Sequence, residues 1–199
     1  WDWLLSCQHK QRHPFTGADP GGWGWTDLSG AVPDADDTPG ALLALAQRFA
    51  KQGLNGEQRQ IILQAAAQGL AWLVNLQNRD RGWPTFCRGW GKLPFDRSGS
   101  DLTGHALRAI QAWLPYATDL ATAAPEHRAV LQATEMRAAI ERGLNYLEMK
   151  QHADGSWSPL WFGNQDHPEE DNPVYGTAKV LQACRDLQAL DTPPARRGM

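Results

Sequence analysis

The stretch Gln68-Gly69-Leu70-Ala71-Trp72-Leu73, followed by Gln77 and then by Gly82-Trp83, decides how this chain folds, because its grammar recurs. A later copy runs Arg142-Gly143-Leu144-Asn145-Tyr146-Leu147, then Gln151, then Asp154-Gly155-Ser156-Trp157. An earlier one opens the chain: Trp3-Leu4 and Gln8 precede Gly21-Gly22-Trp23. Each copy has an aromatic–Leu pair, a Gln five residues after the aromatic, and a Gly-rich turn ending in Trp. The copies start about 70 residues apart, beyond the roughly 20–50 residues of common solenoid units, so each unit should hold two helices.

Hydrophobic periodicity fills in those units. Residues 1–8 read as the last turns of a helix whose beginning is missing. Asp36 to about Lys51 reads as a short apolar helix ended by Gly53. Glu57 to Gln77 reads as a longer one, with Ile61, Ile62, Leu63, Leu70, Trp72, Leu73 and Leu76 as its apolar stripe. Asp101 to Trp113 is short again, with Asp101 as cap and Pro115 as stop. Pro125 to Gln151 reads as long and amphipathic, and Asn172-Pro173 opens a last helix to about Leu190. Nothing alternates with period two, so no sheet is expected. The expected fold is therefore all-α. Short apolar helices form an inner ring, long amphipathic ones wrap it, and the result is part of a double-layered α/α toroid. Residues 1–190 form one domain on this reading, and 191–199 are a loop or a truncated tail. Successive inner helices then run the same way, so their N-termini gather on one rim.

Ten Trp against three Tyr and five Phe is the compositional outlier among 199 residues. A net charge of −3 offers no nucleic-acid footprint. Cys7, Cys87 and Cys184 lie far apart with no CxxC pair, which argues against a structural zinc or a disulfide framework and fits a reducing compartment. No apolar run approaches the roughly 20 residues of a spanning helix, and no signal peptide is visible.

One inner N-terminus is chemically unusual: Val32-Pro33-Asp34-Ala35-Asp36-Asp37-Thr38-Pro39. A single Asp there would be an ordinary cap, with Pro39 tolerated in the first turn. Three carboxylates in four positions differ, because in a cavity they cannot all ionise and one proton is held at raised pKa. A cluster that holds a proton can deliver one. The other inner N-termini carry Asp101-Leu102-Thr103-Gly104-His105 and Tyr175-Gly176-Thr177.

Taken together, these residues resemble the class II triterpene cyclases, in particular the squalene–hopene cyclases. The Gln…Gly-x-Trp repeat is similar to that family's QW repeat, Asp34–Thr38 to its DxDDT acid motif, Asp101–His105 to DVTAH, and Asp154–Trp157 with Tyr175–Thr177 to DGSW…YGT. The chain would be the central part of such an enzyme, inactive by itself. It departs from the pattern at Pro39, where Ala is usual, in a longer 162–173 loop, and in a shorter 86–101 stretch.

The resemblance implies a proton-initiated cyclisation of a linear polyprenoid such as squalene, an isomerase reaction with no cofactor and no metal. Asp36 would be the general acid, Asp34 and Asp37 would bond the carboxylate it leaves, and a positively charged His105 bonded to Asp36 would stabilise that carboxylate. Carbocations need aromatic faces and no nucleophile. Trp25, Phe86, Trp161 and Tyr175 match family positions of that kind, with ordinary core packing as the alternative for each. Trp23, Trp83 and Trp157 are assigned to structure, with Gln8, Gln77 and Gln151 tying helix ends. The partners implied are an apolar substrate, no nucleic acid, a possible second copy, and peripheral contact with the cytoplasmic side of the inner membrane through other parts of the protein.

Three alternatives stand beside this. A diterpenoid diphosphate substrate calls for a basic cluster, whereas Arg79, Arg81, Arg88 and Lys92 are scattered. Protein prenylation needs zinc, and Cys87 and His105 lack ligand spacing. A non-catalytic toroid that binds apolar ligands has no use for the Asp34–Asp37 cluster.

Overall fold

Helices do nearly all the folding in this computed structural model, which describes residues 1–90 and 93–199. In chain order they are α1 (Asp2–Ser6), α2 (Asp37–Ala50), α3 (Gly56–Leu76), α4 (Ser100–Trp113), α5 (Ala117–Ala123), α6 (Arg128–Leu131), α7 (Ala133–Lys150), α8 (Pro173–Asp186) and α9 (Pro193–Gly198). Two-residue strands β1 (Trp83–Pro84) and β2 (Ser98–Gly99) pair antiparallel.

Side-chain pairings give the helix directions. On α4 and α8, Gly104 lies against the Lys179 carbonyl, and Arg108 Nε donates to Asp186 Oδ2 at 2.6 Å, so later residues meet later residues and the two are parallel. On α2 and α4, Gly40 faces His105 near their starts, while the Phe49 and Trp113 rings lie 5.5 Å apart at their ends. These are parallel too. The longer helices return. Arg59, at the start of α3, lies 4.0 Å over the ring of Phe49, at the end of α2, and Tyr146 OH near the end of α7 donates to the Ser98 carbonyl just before α4. So α2, α4 and α8 stand side by side as the inner layer, with α3 and α7 antiparallel outside, as the sequence predicts. Their N-termini share one rim.

The repeat is a clip made three times. Trp83 is fully buried; its Nε1 donates to the Leu73 carbonyl at 2.8 Å, and its main-chain N–H donates to Thr103 Oγ1 on α4 at 3.0 Å. Gln77 Nε2 donates both to the Arg81 carbonyl (2.8 Å) and to the Ala139 carbonyl on α7 (3.0 Å). One side chain thereby closes its own turn and fastens the next outer helix. Trp23 repeats this with Leu4 and Thr38, and Gln8 with Gly21 and Ala65. Trp157 does so with Leu147 and Thr177, and Gln151 with Gly155 and Pro194. Beneath each indole lies a glycine of the next outer helix. A Cβ at Gly69, Gly143 or Gly198 would come 2.5, 3.0 or 2.6 Å from the Trp23, Trp83 or Trp157 ring, so only hydrogen fits.

That pattern corrects the reading of the tail as a loop. Arg197-Gly198 takes the place of Arg142-Gly143, and Arg197 donates to Gln151 Oε1 as Arg142 does to Gln77 Oε1. Residues 193–198 are helical, in the position that α3 and α7 hold in their own units. Other boundaries also move. The long helix expected over 125–151 breaks at Gln132, whose ψ of 141° is extended, leaving α6 and α7 separate. α5 is an addition to the expected elements, and α8 stops at Asp186 rather than near 190. Asp101 is not a cap: α4 starts after Gly99, and Asp101 sits within its first turn.

Candidate active site

Asp34 lies buried in the loop before α2, and its Oδ1 accepts main-chain N–H bonds from Asp36 (2.9 Å) and Asp37 (2.6 Å). Those bonds do the capping, so Asp36 stands at the N-cap position with no side-chain cap bond of its own. Burial, with the Asp37 charge adding to it, pushes the Asp34 carboxyl up to about 9 against the two N–H bonds that favour its ionised form. A proton is therefore held on this carboxyl at neutral pH. Asp36 is also raised by burial and by Asp37, while the Lys179 ammonium pulls it back. Burial thus pushes both Asp34 and Asp36 up, with the Asp37 charge adding to each.

α4 presents Asp101 and His105, one turn apart on the same face. Burial pushes Asp101 up to about 6 against the pull of the Leu102 and Asp101 main-chain N–H groups, with the Asp36 charge adding to it, and neither of its buried carboxyl oxygens makes a well-aligned hydrogen bond. His105 faces the main-chain carbonyl of Asp36, and its buried Nδ1 has no partner. Burial first, then the Lys179 and Arg108 charges, push it down to about 3. This corrects the expected imidazolium: His105 is a neutral ring here, because two cations and a dry site both oppose its charge. α8 adds Tyr175, raised to about 12 by burial and by the charges of Asp101 and Asp36, and Lys179, whose Nζ is 5.5 Å from the Tyr175 ring.

Three of the four expected aromatics join in one run. The Trp25 ring lies 5.9 Å from Phe86, Phe86 lies 5.0 Å from Phe95, and Phe95 lies 4.9 Å from Trp161. Trp90 packs on both Phe86 and Phe95, at 5.7 and 5.1 Å. Tyr175 stands outside that run but pairs with Phe162, next in sequence to Trp161, at 5.1 Å. At the other end Trp25 shares a groove of about 260 Å³ with Asp37, Gly40 and Ala44. The run thus begins beside Asp37.

Trp90, Phe95, Phe162, Lys179 and the role of Asp101 lie beyond what the sequence reading assigns. Asp101 was legible in principle, four residues before His105; the others lie in irregular loops or on an amphipathic face, where no periodicity marks them. Two of the cations that look scattered in the sequence do gather: Arg79 and Arg88 line a cavity of about 760 Å³ with Arg97 and Lys150, where Asp80 and Asp96 stand beside them. Arg88 Nη2 donates to the Asn75, Leu76 and Gln77 carbonyls at the end of α3, a structural duty, and Lys92 lies outside the described residues. The Cys87 thiol is buried and pushed up. Among the described residues no three His, Cys, Asp or Glu stand together as a metal site, and no helix is long and apolar enough to cross a membrane.

Residues 2–197 match the family described as the squalene-hopene cyclase C-terminal domain. The chain belongs to that cyclase family. It is similar to a "Probable squalene–hopene cyclase" of Sinorhizobium fredii, 31% identical over 172 residues, covering 82% of this chain and 23% of that protein. It is 28% identical over 187 residues to a squalene-hopene cyclase of Schizosaccharomyces japonicus, covering 92% of this chain and 23% of that protein. To a sporulenol synthase of Bacillus subtilis it is 25% identical over 177 residues, covering 80% and 23%. The chain thus spans about a quarter of the length of the curated relatives it matches. Within the cyclase family's domain, the clips hold the ring and the rim between them carries the acids.

Proposed function

We propose that this chain forms part of the catalytic chamber of a class II triterpene cyclase, which protonates the terminal alkene of a linear polyprenoid such as squalene. The observation that supports the reading is a cluster of acids raised by burial at the start of α2, with Trp25, the first ring of an aromatic run, sharing a groove with Asp37. Asp36 is the donor: it is raised by burial, is free of capping duty, and feels the groups of α4 and α8. Asp34 and Asp37 stand behind it, and Asp34 fixes the turn through its two N–H bonds. An isolated alkene is a very weak base, so the carboxylate left behind must be stabilised as it forms. Neutral His105, facing the Asp36 main-chain carbonyl, holds the start of α2 and with it the position of the donor, rather than supplying charge.

The cations that follow need surfaces that attract positive charge without attacking it. Trp25, Phe86, Trp161 and Tyr175 supply such faces, with Trp90, Phe95 and Phe162 continuing them, each worth about 0.5–2 kcal/mol when desolvated. A substrate so apolar partitions into lipid. We therefore also propose peripheral contact with the cytoplasmic face of the inner membrane, made by other parts of the whole protein. Incubating the full-length protein with squalene and resolving cyclic products by gas chromatography tests the reading. Polycyclic hydrocarbons or alcohols that vanish with Asp36→Asn support it. Tight squalene binding with no product would favour a ligand-binding toroid instead.

A further inference from the structure

The cavity of about 760 Å³ opens beside the second clip, between the ends of α3 and α7. Arg79 and Arg88 line it from either side of β1, Arg97 from the residue before β2, and Lys150 from the last turn of α7. Two carboxylates share the cavity, but both are bonded to neutral donors. Asp80 Oδ1 accepts from the Gly82 N–H at 3.1 Å and from the Ser98 hydroxyl at 2.7 Å. The Asp96 carboxyl accepts from the Gly89 and Trp90 N–H groups at 3.4 and 3.3 Å. Among the described residues no carboxylate lies within 4 Å of any of the four cations. Arg88 is spent on the carbonyls at the end of α3, which leaves Arg79, Arg97 and Lys150, all exposed, with charge to offer. The floor is fixed: buried Tyr146 donates to the Ser98 carbonyl at 2.7 Å, and Ser98 pairs with Pro84 in the short ladder. The clip itself needs no such cations. Where Arg79 follows Gln77 by two residues, Ala153 follows Gln151, and that copy closes with the same pair of bonds.

We propose that this cavity binds a phosphate-type anion, the phosphate of a lipid headgroup or a soluble diphosphate. Four cations against two carboxylates leave positive charge in excess, and a concave site of one sign concentrates counter-ions. Geometry selects the chemistry. Arg79, Arg97 and Lys150 come from three separate segments, so they approach a ligand from different directions. The tetrahedral oxygens of a phosphate accept from all three at once, whereas a carboxylate offers two oxygens in one plane. Guanidinium forks match phosphate oxygens in pairs, and Lys150 adds a point charge. The volume exceeds what a single carboxylate fills and leaves room for a diphosphate or a headgroup. The cavity shares no lining residue with the Asp34–Asp37 cluster, so this inference stands or falls apart from the cyclase reading.

The test uses the full-length protein and two probes. In the first arm, inorganic pyrophosphate is titrated by calorimetry in a phosphate-free buffer of low salt. Wild type should bind it saturably, and the double variant Arg79→Gln/Arg97→Gln should bind at least about tenfold more weakly. Lys150→Gln, made separately, should weaken binding several-fold and carries the test if the double variant fails to fold. Arg12→Gln/Arg137→Gln removes the same charge outside the cavity and should leave binding within about twofold. In the second arm, the same proteins are sedimented with phosphatidylcholine vesicles, with and without phosphatidic acid. Phosphatidic acid capture that is lost with the cavity cations, and kept in the control variant, supports the proposal and assigns the headgroup as source. Pyrophosphate binding that follows the cavity cations, with vesicle capture indifferent to them, supports it with a soluble source. Wild type that takes neither probe overturns the proposal. So does a control variant that loses as much as the cavity variants, because the attraction would then belong to net charge.

Discussion

Two groups of tryptophans sit a few residues apart in the sequence and lead opposite lives. Trp23, Trp83 and Trp157 are 2%, 0% and 0% exposed, and each indole N–H is bonded to a carbonyl. Trp25 and Trp161 are 54% and 41% exposed and are held by ring contacts. The polar groups divide the same way. In the clips Gln8, Gln77 and Gln151 each satisfy two carbonyls, whereas at the acid rim Asp34 Oδ2, both oxygens of Asp101 and Nδ1 of His105 are buried with no partner. Buried polar atoms are nearly always paired, and leaving one unpaired costs about 1–3 kcal/mol. Among the described residues six buried side-chain polar atoms lack a partner: four belong to the acid rim, and the other two, Thr85 Oγ1 and Trp90 Nε1, flank Phe86, so the unmet polarity lies away from the clips. Stability and reactivity are thus assigned to different residues, and they should separate under mutation.

The largest effect should come from Asp36→Asn in the full-length protein. An amide of the same shape cannot donate to an alkene, so cyclisation should fall by at least the roughly 10²–10⁴-fold typical of a lost general acid. The melting temperature should stay near wild type, because Asp36 caps nothing. If the variant retained a tenth of wild-type turnover, the acid assignment would be wrong.

Trp83→Ala should do the reverse. It removes a fully buried indole and its bond to Leu73, and should cost about 3–5 kcal/mol in denaturant titration, with activity lost only in proportion to unfolding. Gln77→Ala strips one partner from the carbonyls of Arg81 and Ala139 and should cost about 1–3 kcal/mol. Should these two variants abolish cyclisation at full folding, the separation of duties would not hold.

The subtlest effect is a slope. Asp34 is held up in the fold, from 3.8 to about 9, so its contribution to stability is complete below pH 4 and drains as pH rises toward 9. Asp34→Asn keeps an oxygen to cap Asp36 and Asp37 but cannot ionise. Its melting temperature should therefore fall less between pH 5 and 9 than that of wild type. Parallel curves would mean that the Asp34 carboxyl is not held up.

The two groups also differ in how legible they are in the sequence. The clips can be read because they repeat: three copies of Gln and Trp at matched spacing single out the bonded residues. The threonines behind them (Thr38, Thr103, Thr177) stand in the stretches that open the inner helices, and nothing in the spacing shows that they bond the Trp main chain. The acid cluster is legible as like charges that cannot all ionise. The protonation of His105 is not, because it depends on Lys179 and Arg108, brought close only by packing. Phe95 lies in a single 3-10 turn (Pro94–Asp96) and Phe162 in an irregular loop, where an aromatic residue has no periodic neighbour to announce it. The tail reads as a loop because a helix of six residues carries too little pattern.

The threonine bond has a consequence for how such a protein can diversify. It ties the start of each loop to the helix at the loop's far end, and it does so across 15, 20 and 20 residues in the three units. A chord of constant length spans arcs of unequal length, so an arc can grow or shrink while the ring keeps its dimensions. The entropic toll of a longer arc is small, roughly 0.6 kcal/mol for each doubling. Trp25, Phe86, Trp90, Phe95, Trp161 and Phe162 all ride on these arcs. The aromatic surface can therefore be rewritten by insertion and deletion as well as by substitution, without disturbing the frame that carries it.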